Sequence, residues 1–241
     1  MTKHLYVLGI MTCKKLLYKA EEQYQKYLQS LPQYSDIIYV KFIGDPTIET
    51  EYMYDKNNNL LILKCKDDYL NLPHKVYCFF KAIRQLFPGV TNVIKMDDDV
   101  KVDLPNLHNL MVRYKDVPYA GRYVCIGPLL STWLHQKTEV CLEFCELGTI
   151  PVYLHRQQYC AGCIYFLNIN SIDIIINYPQ YFAPFPDDYI NYLNDVNDTK
   201  FFLDLNVFED YNVGMVLTKL NDVSIQDIRH DLITAAYWEG I

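Results

Sequence analysis

The sequence predicts an α/β fold with a mostly parallel central sheet and helices on both faces. Short apolar segments typical of strands alternate with segments whose apolar residues recur at helical spacing. In addition, three consecutive carboxylates, Asp97-Asp98-Asp99, directly follow the fourth expected strand. A buried strand that ends in this way places the carboxylates at the carboxyl edge of the sheet, where open α/β sheets bind ligands.

The composition is that of a globular protein, and we expect one domain. Hydrophobic residues make up 51% of the 241 residues and charged residues 21%, which excludes a largely disordered chain. The 22 Tyr and 11 Phe predict a core rich in aromatic side chains. The formal net charge of -7 argues against a nucleic-acid partner, because phosphate recognition relies on a basic surface.

The first half of the chain alternates between the two kinds of element. Strands are expected over residues 5–10, 37–43, 60–63 and 93–96, and helices over residues 14–31 and 72–87. Pro32 is expected to end the first helix and the Pro88-Gly89 pair the second. Residues 55–59 are polar and predict a turn.

The second half is less regular. A helix is expected from residue 104 to about residue 114, with Pro105 in its first turn. Strands are expected over residues 119–126, 151–154 and 165–167, and helices after Ser171 as N-cap and over residues 209–220. Residues 178–202 contain three Pro and many aromatic residues. We interpret that segment as a lid or acceptor-side wall, with a plain surface excursion as the alternative.

No segment has the pattern of a secretion signal or a membrane span. The apolar run at residues 5–10 is too short for a signal sequence, and no run approaches ~18 apolar residues. We therefore expect a soluble, cytoplasmic protein, although a chain trimmed of an anchor would look the same. The frequent Asn, Ile, Tyr and Lys fit an AT-rich genome and suggest a viral or bacterial context, including a viral protein in the host cytoplasm.

The eight cysteines lie mostly in apolar segments, where a reduced thiol behaves as a small hydrophobic group. The pairs Cys141/Cys145 and Cys160/Cys163 leave a zinc site and two disulfides open as alternatives. The unequal spacing within the two pairs argues against zinc.

Four separated segments, each a weak signal alone, together resemble one enzyme family. They are Asp68-Tyr69-Leu70-Asn71-Leu72-Pro73-His74-Lys75, Lys95-Met96-Asp97-Asp98-Asp99, Tyr159-Cys160-Ala161-Gly162-Cys163-Ile164-Tyr165 and Glu209-Asp210-Tyr211-Asn212-Val213-Gly214. In this order they resemble the inverting β-1,3-glycosyltransferases, which include β-1,3-galactosyltransferases and N-acetylglucosaminyltransferases. The resemblance extends from about residue 60 to about residue 220.

The resemblance implies a GT-A fold, a Rossmann-like nucleotide-binding α/β sandwich formed by residues 1–241 as a single domain. Residues 1–126 would form its nucleotide-sugar-binding part and residues 127–241 its acceptor-side part. The implied reaction moves galactose, N-acetylglucosamine or glucose from a UDP-sugar to a hydroxyl of a glycan or glycoprotein, with inversion to a β-linkage. The oligomeric state, a homodimer included, is left open.

The resemblance also assigns the acidic triplet to Mn²⁺ or Mg²⁺, as an Asp-x-Asp motif. Carboxylate oxygens suit a hard divalent cation, and the cation would stabilise negative charge on the departing diphosphate. Asp99 is the expected direct ligand, Asp97 a ligand or ribose contact, and Asp98 a donor contact or an inward-pointing residue. His230 is the candidate third ligand by its place in the chain, with an ordinary surface or core His as the alternative. Locally, the triplet also fits a simple acidic turn.

Inversion requires one base that deprotonates the acceptor hydroxyl. The resemblance assigns this role to Asp210, whose alternative reading is a carboxylate stabilising a helix amino terminus. Asp188, in Pro186-Asp187-Asp188, is a rival because some relatives have their base after a Pro-Asp pair.

Further residues are expected beside the donor. They are Asp67, Asp68, Tyr69, Lys75, Gly162 and Glu209. Tyr69 would stack on the nucleotide base or belong to the core.

The chain departs from the family pattern at several positions. Gln157 stands where the family usually has Pro, and Cys163 and Ile164 stand where small glycines are common. Three lysines, Lys14, Lys15 and Lys19, replace an arginine-rich stretch. These differences leave the acceptor and the exact donor undetermined.

Two other functions compete with this interpretation. One is a catalytically inactive relative that binds a glycan or a nucleotide sugar. The other is a nucleotidyltransferase, which fits less well because Gly9-Ile10-Met11-Thr12 offers little of a phosphate-binding loop.

Overall fold

A computed structural model describes residues 5–69, 71–126, 129–131, 152–154, 157–184 and 208–237. The described strands are β1 (Tyr6–Met11), β2 (Ile37–Gly44), β3 (Tyr52–Asp55), β4 (Leu60–Leu63), β5 (Asn92–Asp97), β6 (Lys101–Val102), β7 (Tyr119–Ile126), β8 (Leu129–Ser131), β9 (Val152–Leu154), β10 (Gln157–Asn168), β11 (Ile225–Asp227) and β12 (Ala236–Tyr237). The α-helices are α1 (Leu17–Gln23), α2 (Leu72–Leu86), α3 (Leu104–Arg113), α4 (Ile169–Ile176), α5 (Glu209–Gly214) and α6 (Arg229–Ala235).

Eight of these strands form one sheet in the order β11-β7-β10-β5-β1-β2-β4-β3. The four neighbours β5, β1, β2 and β4 run parallel, as do β7 and β11, whereas β3 and β10 run antiparallel to the strands beside them. Gly9, in the middle of β1, is aligned with Val40 of β2 and Lys95 of β5. The predicted α/β class with a mostly parallel sheet is confirmed.

Each face of the sheet has its own hydrophobic core, because successive residues of a strand point to opposite faces. On the first face, Val7 and Val93 pack with buried residues of α2, α4 and α5. On the second face, Leu8 and Ile94 pack with buried residues of α1, α3 and α6. Helices therefore cover both faces, as the sequence predicts.

Helices α2 and α3 begin as their sequences indicate. Each has a Pro at its first or second position, where the missing N–H costs no intrahelical hydrogen bond. The Asp103 side chain caps α3 by accepting a hydrogen bond from the backbone N–H of Asn106, at 3.0 Å. Helix α2 ends at Leu86, just before the predicted Pro88-Gly89 stop.

Several predicted boundaries are wrong. Ser171 is not the cap of α4: the Asn168 side chain accepts the backbone N–H of Ser171, which lies buried within the helix. The expected helix over residues 14–31 is divided into Lys14–Leu16, α1 and a π-helical segment, Tyr24–Leu28. Pro32 lies within a separate 3-10 turn, Leu31–Gln33.

Strand boundaries differ as well. The edge strand β3 is not predicted, since its four residues are only partly apolar and none is fully buried. Strand β10 starts at Gln157, well before the predicted strand over residues 165–167, so the motif segment that begins at Tyr159 lies within it. The 3-10 segment Pro179–Phe182 opens the predicted lid or wall, and most of the remainder, with Asp188, lies outside the described residues. Cys141 and Cys145, one of the two cysteine pairs considered for zinc or disulfides, also lie outside the described residues. Cys160 and Cys163, the other pair, are free thiols.

No helix in the described part of the chain has both the length and the apolar character needed to cross a membrane.

Helix α5 lies directly on β10 because Gly214 has no side chain. A Cβ at this position would lie 2.4 Å from the Cβ of Tyr159 and 2.6 Å from the carbonyl oxygen of Gln158. We expect Gly214→Ala to lower the free energy of unfolding by ~1–3 kcal/mol, the usual cost of overpacking. Gly89→Ala is the matched control, since a Cβ there meets nothing within 4 Å. Urea unfolding measures both variants, and equal midpoints would contradict this close approach.

Candidate active site

The acidic triplet lies where the sequence places it, in a turn at the carboxyl end of β5. Asp97 is the last residue of β5 and is paired with Met11 at the end of β1. The side chains of Thr12 and Gln23 hold this turn in place. The Gln23 amide donates to the carbonyl oxygens of Asp97 and Val100, at 3.0 and 2.6 Å, and the Thr12 hydroxyl donates to Asp98, at 2.6 Å. Asp98 thus points towards the protein, while Asp99 is exposed.

Lys95 lies two residues before Asp97 and on the same face of β5, because side chains alternate along a strand. Its side chain is 1% exposed, and its ammonium group donates to three oxygens. These are Oδ1 of Asp97 at 2.7 Å, the carbonyl oxygen of Gly162 at 2.6 Å and Oε2 of Glu209 at 3.3 Å. Lys95 therefore joins three separate parts of the chain.

An irregularity in β10 turns Gly162 towards these groups. The register of β10 against β7 shifts between Cys160 and Tyr165, and bulges of this kind reorient backbone groups. While its carbonyl oxygen accepts from Lys95, the N–H of Gly162 donates to Oδ2 of Asp210 at 3.0 Å. A Cβ on Gly162 would lie 3.3 Å from Oδ2 of Asp210 and 3.3 Å from Oε2 of Glu209. Glycine at this position leaves room for both carboxylates.

The Glu209-Asp210 pair forms the first turn of α5. Glu209 is buried and accepts hydrogen bonds from Lys95 and from the hydroxyl of Tyr165. Oδ1 of Asp210 accepts the backbone N–H of Tyr211 at 2.9 Å. The structure therefore brings the acidic triplet, Gly162 and the Glu209-Asp210 pair together around Lys95.

Burial changes the protonation of this group. It raises the pKa of Asp97 to about 7, and it also raises the pKa values of Asp98, Glu209 and Asp210. The positive charge of Lys95 opposes the effect at Asp97, Glu209 and Asp210 without cancelling it. For Lys95 itself, burial disfavours the charge, but Asp97 and Glu209 outweigh this and raise its pKa. Asp97, Glu209 and Asp210 thus surround the Lys95 ammonium at a place where burial makes their ionisation costly.

A second group of predicted residues lies beside the triplet. Lys75 is buried and donates to Oδ1 of Asp67 at 2.8 Å and to the carbonyl oxygen of Thr12 at 2.9 Å. Asp67 also accepts the backbone N–H groups of Lys14 and Gly44, at 2.6 and 2.9 Å. Because Thr12 contacts both Lys75 and Asp98, it links this group to the acidic turn.

Asp68 and Tyr69 lie at the edge of the second group. Asp68 is exposed and accepts hydrogen bonds from the backbone and side chain of Asn71, at 3.0 and 2.8 Å. Tyr69 is half-buried.

His230 lies on α6 and is exposed. It lines a cavity of about 330 Å³ whose wall also includes Val100, the residue after Asp99, together with Arg122 and Cys163. Within the described ranges, no three His, Cys, Asp or Glu side chains are grouped closely enough to hold a metal ion. His230 and Val100 thus line the same cavity, and the role of His230 as a third ligand stays a prediction.

The sequence profile of the galactosyltransferase family matches residues 47–201. The chain belongs to the galactosyltransferase family. The match includes the segments of Asp67, Lys75, the acidic triplet and Gly162, and it ends before Asp210. The predicted enzyme class, a glycosyltransferase, is confirmed.

Two solved structures of glycosyltransferases are similar to this member of the galactosyltransferase family. One is involved in the glycosylation of the major capsid of PBCV-1; it is 11% identical, with a TM-score of 0.38 over 80% of this chain and 75% of that chain. The other is GlyE of Streptococcus pneumoniae TIGR4, 9% identical, with a TM-score of 0.41 over 93% of this chain and 45% of that chain. The match thus spans less than half of GlyE. A comparison with curated protein sequences gave no match.

Sequence reasoning missed several residues that organise this galactosyltransferase-family site. Lys95 had a signal, since a lysine inside an apolar strand must find buried partners. Tyr165 also had a signal, as the last residue of one of the four motif segments. Thr12 and Gln23 had none, because each looks like an ordinary loop or helix residue. Their contacts depend on segments far apart in the chain.

Proposed function

We propose that this protein is a metal-dependent inverting glycosyltransferase. It transfers a hexose or N-acetylhexosamine from a UDP-sugar to a hydroxyl of a glycan or glycoprotein acceptor and forms a β-linkage. The observation that supports this most directly is the arrangement around Lys95. The Asp97–Asp99 turn and the Glu209-Asp210 pair lie on either side of one buried ammonium, at the carboxyl edge of the parallel strands. Glycosyl transfer requires one set of residues that stabilises the leaving group and another that deprotonates the nucleophile, and the two sets must lie close together.

The residues of the acidic turn fit a divalent cation. Their donor atoms are carboxylate oxygens, and burial raises the pKa values of Asp97 and Asp98, so a bound cation would offset the cost of ionising them. Asp99 and Asp97 would hold Mn²⁺ or Mg²⁺, with His230 as the third ligand. When bound, the cation stabilises the negative charge of the departing UDP.

Asp210 is the proposed base. The N–H groups of Gly162 and Tyr211 fix its two oxygens, and burial raises its pKa above that of an ordinary aspartate. A carboxylate with a raised pKa is a stronger base. Asp210 takes the proton of the acceptor hydroxyl while that oxygen bonds to the anomeric carbon and the bond from this carbon to the UDP oxygen breaks.

The second group positions the donor. Lys75 and Asp67 pair with each other and with backbone groups, so they shape the surface beside the acidic turn. Asp68 and Tyr69 are more accessible and would contact the nucleoside, and Gly162 leaves space for the sugar next to Asp210.

Donor binding and turnover test the proposal. The protein is mixed with UDP-galactose, UDP-N-acetylglucosamine and UDP-glucose in Mn²⁺ or in EDTA, and UDP release is measured with and without glycan acceptors. We expect Mn²⁺-dependent release from at least one donor. Neither binding nor release across the panel would contradict the proposed function, and glycan binding that persists in EDTA without turnover would favour an inactive relative.

Asp99→Ala tests the contribution of the cation to UDP binding. Because a direct carboxylate ligand is removed, we expect the Kd for UDP in Mn²⁺ to rise by at least ~10–100-fold, the range seen even for residues that only support metal ligands. Isothermal titration calorimetry measures this Kd in Mn²⁺ and in EDTA. Asp116→Ala, an exposed carboxylate outside the site, is the matched control. Wild-type affinity in Asp99→Ala would remove Asp99 from the cation site.

A further inference from the structure

Lys95 contacts several separate elements of the fold. Each of its three N–H groups has a different acceptor, on β5, β10 and α5. Its ammonium also lies 5.6 Å from the centroid of the Tyr165 ring, and the Tyr165 hydroxyl donates to the second oxygen of Glu209. A buried ammonium whose three N–H groups all have acceptors holds these acceptors in one arrangement.

The Gly162 peptide extends this arrangement to Asp210. Lys95 holds the carbonyl oxygen of Gly162, and the N–H of the same residue holds Oδ2 of Asp210. A shift of Gly162 would therefore move the Asp210 carboxylate, even though Lys95 and Asp210 share no hydrogen bond among those described here. The direct bond from Lys95 to Oδ1 of Asp97 fixes the other side of the site.

We propose that Lys95 is a positioning residue that sets the Asp210 carboxylate relative to Asp97 through the Gly162 peptide. The proposal rests on the function proposed above, because it gives Lys95 a role in the geometry of that reaction. Lys95 does not touch the reacting atoms, and its effect reaches them through the two carboxylates.

Lys95→Met removes the ammonium and keeps a side chain of similar length. We expect kcat to fall on the order of 100-fold, because small displacements of a catalytic group cost this much, while the donor KM changes less than ~3-fold. The matched control is Lys41→Met. Lys41 is also a buried lysine of the central sheet, on β2, but it pairs only with Glu21, at 2.7 Å, in the described contacts. A fall in kcat for Lys95→Met alone separates positioning from the general loss of a buried charge.

Hydrogen exchange gives a second measurement that needs no activity. The amide of Gly162 is the one that donates to Asp210, so Lys95→Met should accelerate its exchange on the order of tenfold, while Lys41→Met leaves it unchanged. Unchanged exchange at Gly162 in Lys95→Met would overturn the positioning role. If the wild-type protein turns over no UDP-sugar, the proposed function fails, and this exchange experiment still decides whether Lys95 controls the Gly162 peptide.

Gly162→Ala tests the same link with Lys95 intact, and it serves if Lys95→Met does not fold. The added Cβ would lie 3.3 Å from carboxylate oxygens of both Glu209 and Asp210, so it displaces the base without changing any charge. We expect a fall in kcat, and no further fall in kcat in the Lys95→Met/Gly162→Ala double variant. Full kcat in Gly162→Ala, or losses that multiply in the double variant, would overturn the proposal.

Discussion

Replacing Asp210 by Asn is expected to lower kcat by ~10²–10⁴-fold, the usual contribution of general base catalysis, with UDP binding in Mn²⁺ unchanged. The amide cannot accept the hydroxyl proton. It keeps an oxygen that can accept one of the two backbone N–H groups that hold Asp210, those of Gly162 and Tyr211, so the fold around α5 is retained. Initial rates at saturating donor and acceptor measure kcat, and calorimetry measures the binding of UDP.

Two variants complete this experiment. Asp173→Asn removes a carboxylate of α4 that pairs with Arg84 at 2.6 Å, and it should leave kcat unchanged. Asp188→Asn tests the rival base in the sequence. If Asp210→Asn retains full transfer activity and Asp188→Asn loses it, the base is Asp188 and Asp210 is a carboxylate of the helix amino terminus.

The central strands could be predicted from the sequence because the chain itself contains their signal. β1, β2, β4 and β5 are short apolar runs, and burial on both faces of a parallel sheet requires such runs. β3 lies at the edge of the sheet and buries none of its residues fully, so its composition gave no such signal.

The N-cap of α4 could not be predicted for a different reason. Asn168 and Ser171 are both good capping residues three positions apart, and only the backbone conformation decides between them.

The site could be predicted in its parts but not in its connections. The order of the four motifs indicated the acidic turn, Gly162 and the Glu209-Asp210 pair. The sequence could not indicate that Lys95 joins them, because its partners Gly162 and Glu209 are 67 and 114 residues away. Local patterns report burial and helical or strand spacing, whereas these bonds arise from the pairing of β10 with β5 and the packing of α5 on β10.

The metal-free protein is expected to lose stability as the pH rises from about 4 to about 7. Burial raises the pKa of Asp97 from 3.8 to about 7, so the folded state binds a proton in this range that the unfolded state has released. The stabilisation is complete below pH 4 and disappears as the pH rises through about 7. At about 1.4 kcal/mol for each pKa unit, the contribution of Asp97 is on the order of a few kcal/mol at most, because its side chain is 30% exposed and partly screened by solvent. Glu209 and Asp210, whose pKa values are raised by burial too, act in the same direction.

Urea unfolding in EDTA at pH 5, 6 and 7 measures this effect in the wild type and in Asp97→Asn. The variant has no titrating group at position 97, and its amide oxygen can still accept from Lys95, so its free energy of unfolding should fall less over this range. Asp227→Asn is the control, because the pKa of Asp227 is shifted in the opposite direction to that of Asp97. Hydrogen bonds from Arg229 outweigh burial and lower the pKa of Asp227, so its contribution is lost only at acid pH, and the slope between pH 5 and 7 stays that of the wild type.

Mn²⁺ should reverse the trend, since a divalent cation favours the ionised carboxylates of the acidic turn and competes with protons for them. We therefore expect the stabilisation by Mn²⁺ to increase from pH 5 to pH 7 in the wild type and to be much smaller in Asp97→Asn. A flat metal-free profile, or a wild-type slope in Asp97→Asn, would show that Asp97 is ionised without cost in the folded protein. The cost of ionising Asp97, which supports the proposed cation site, would then be absent.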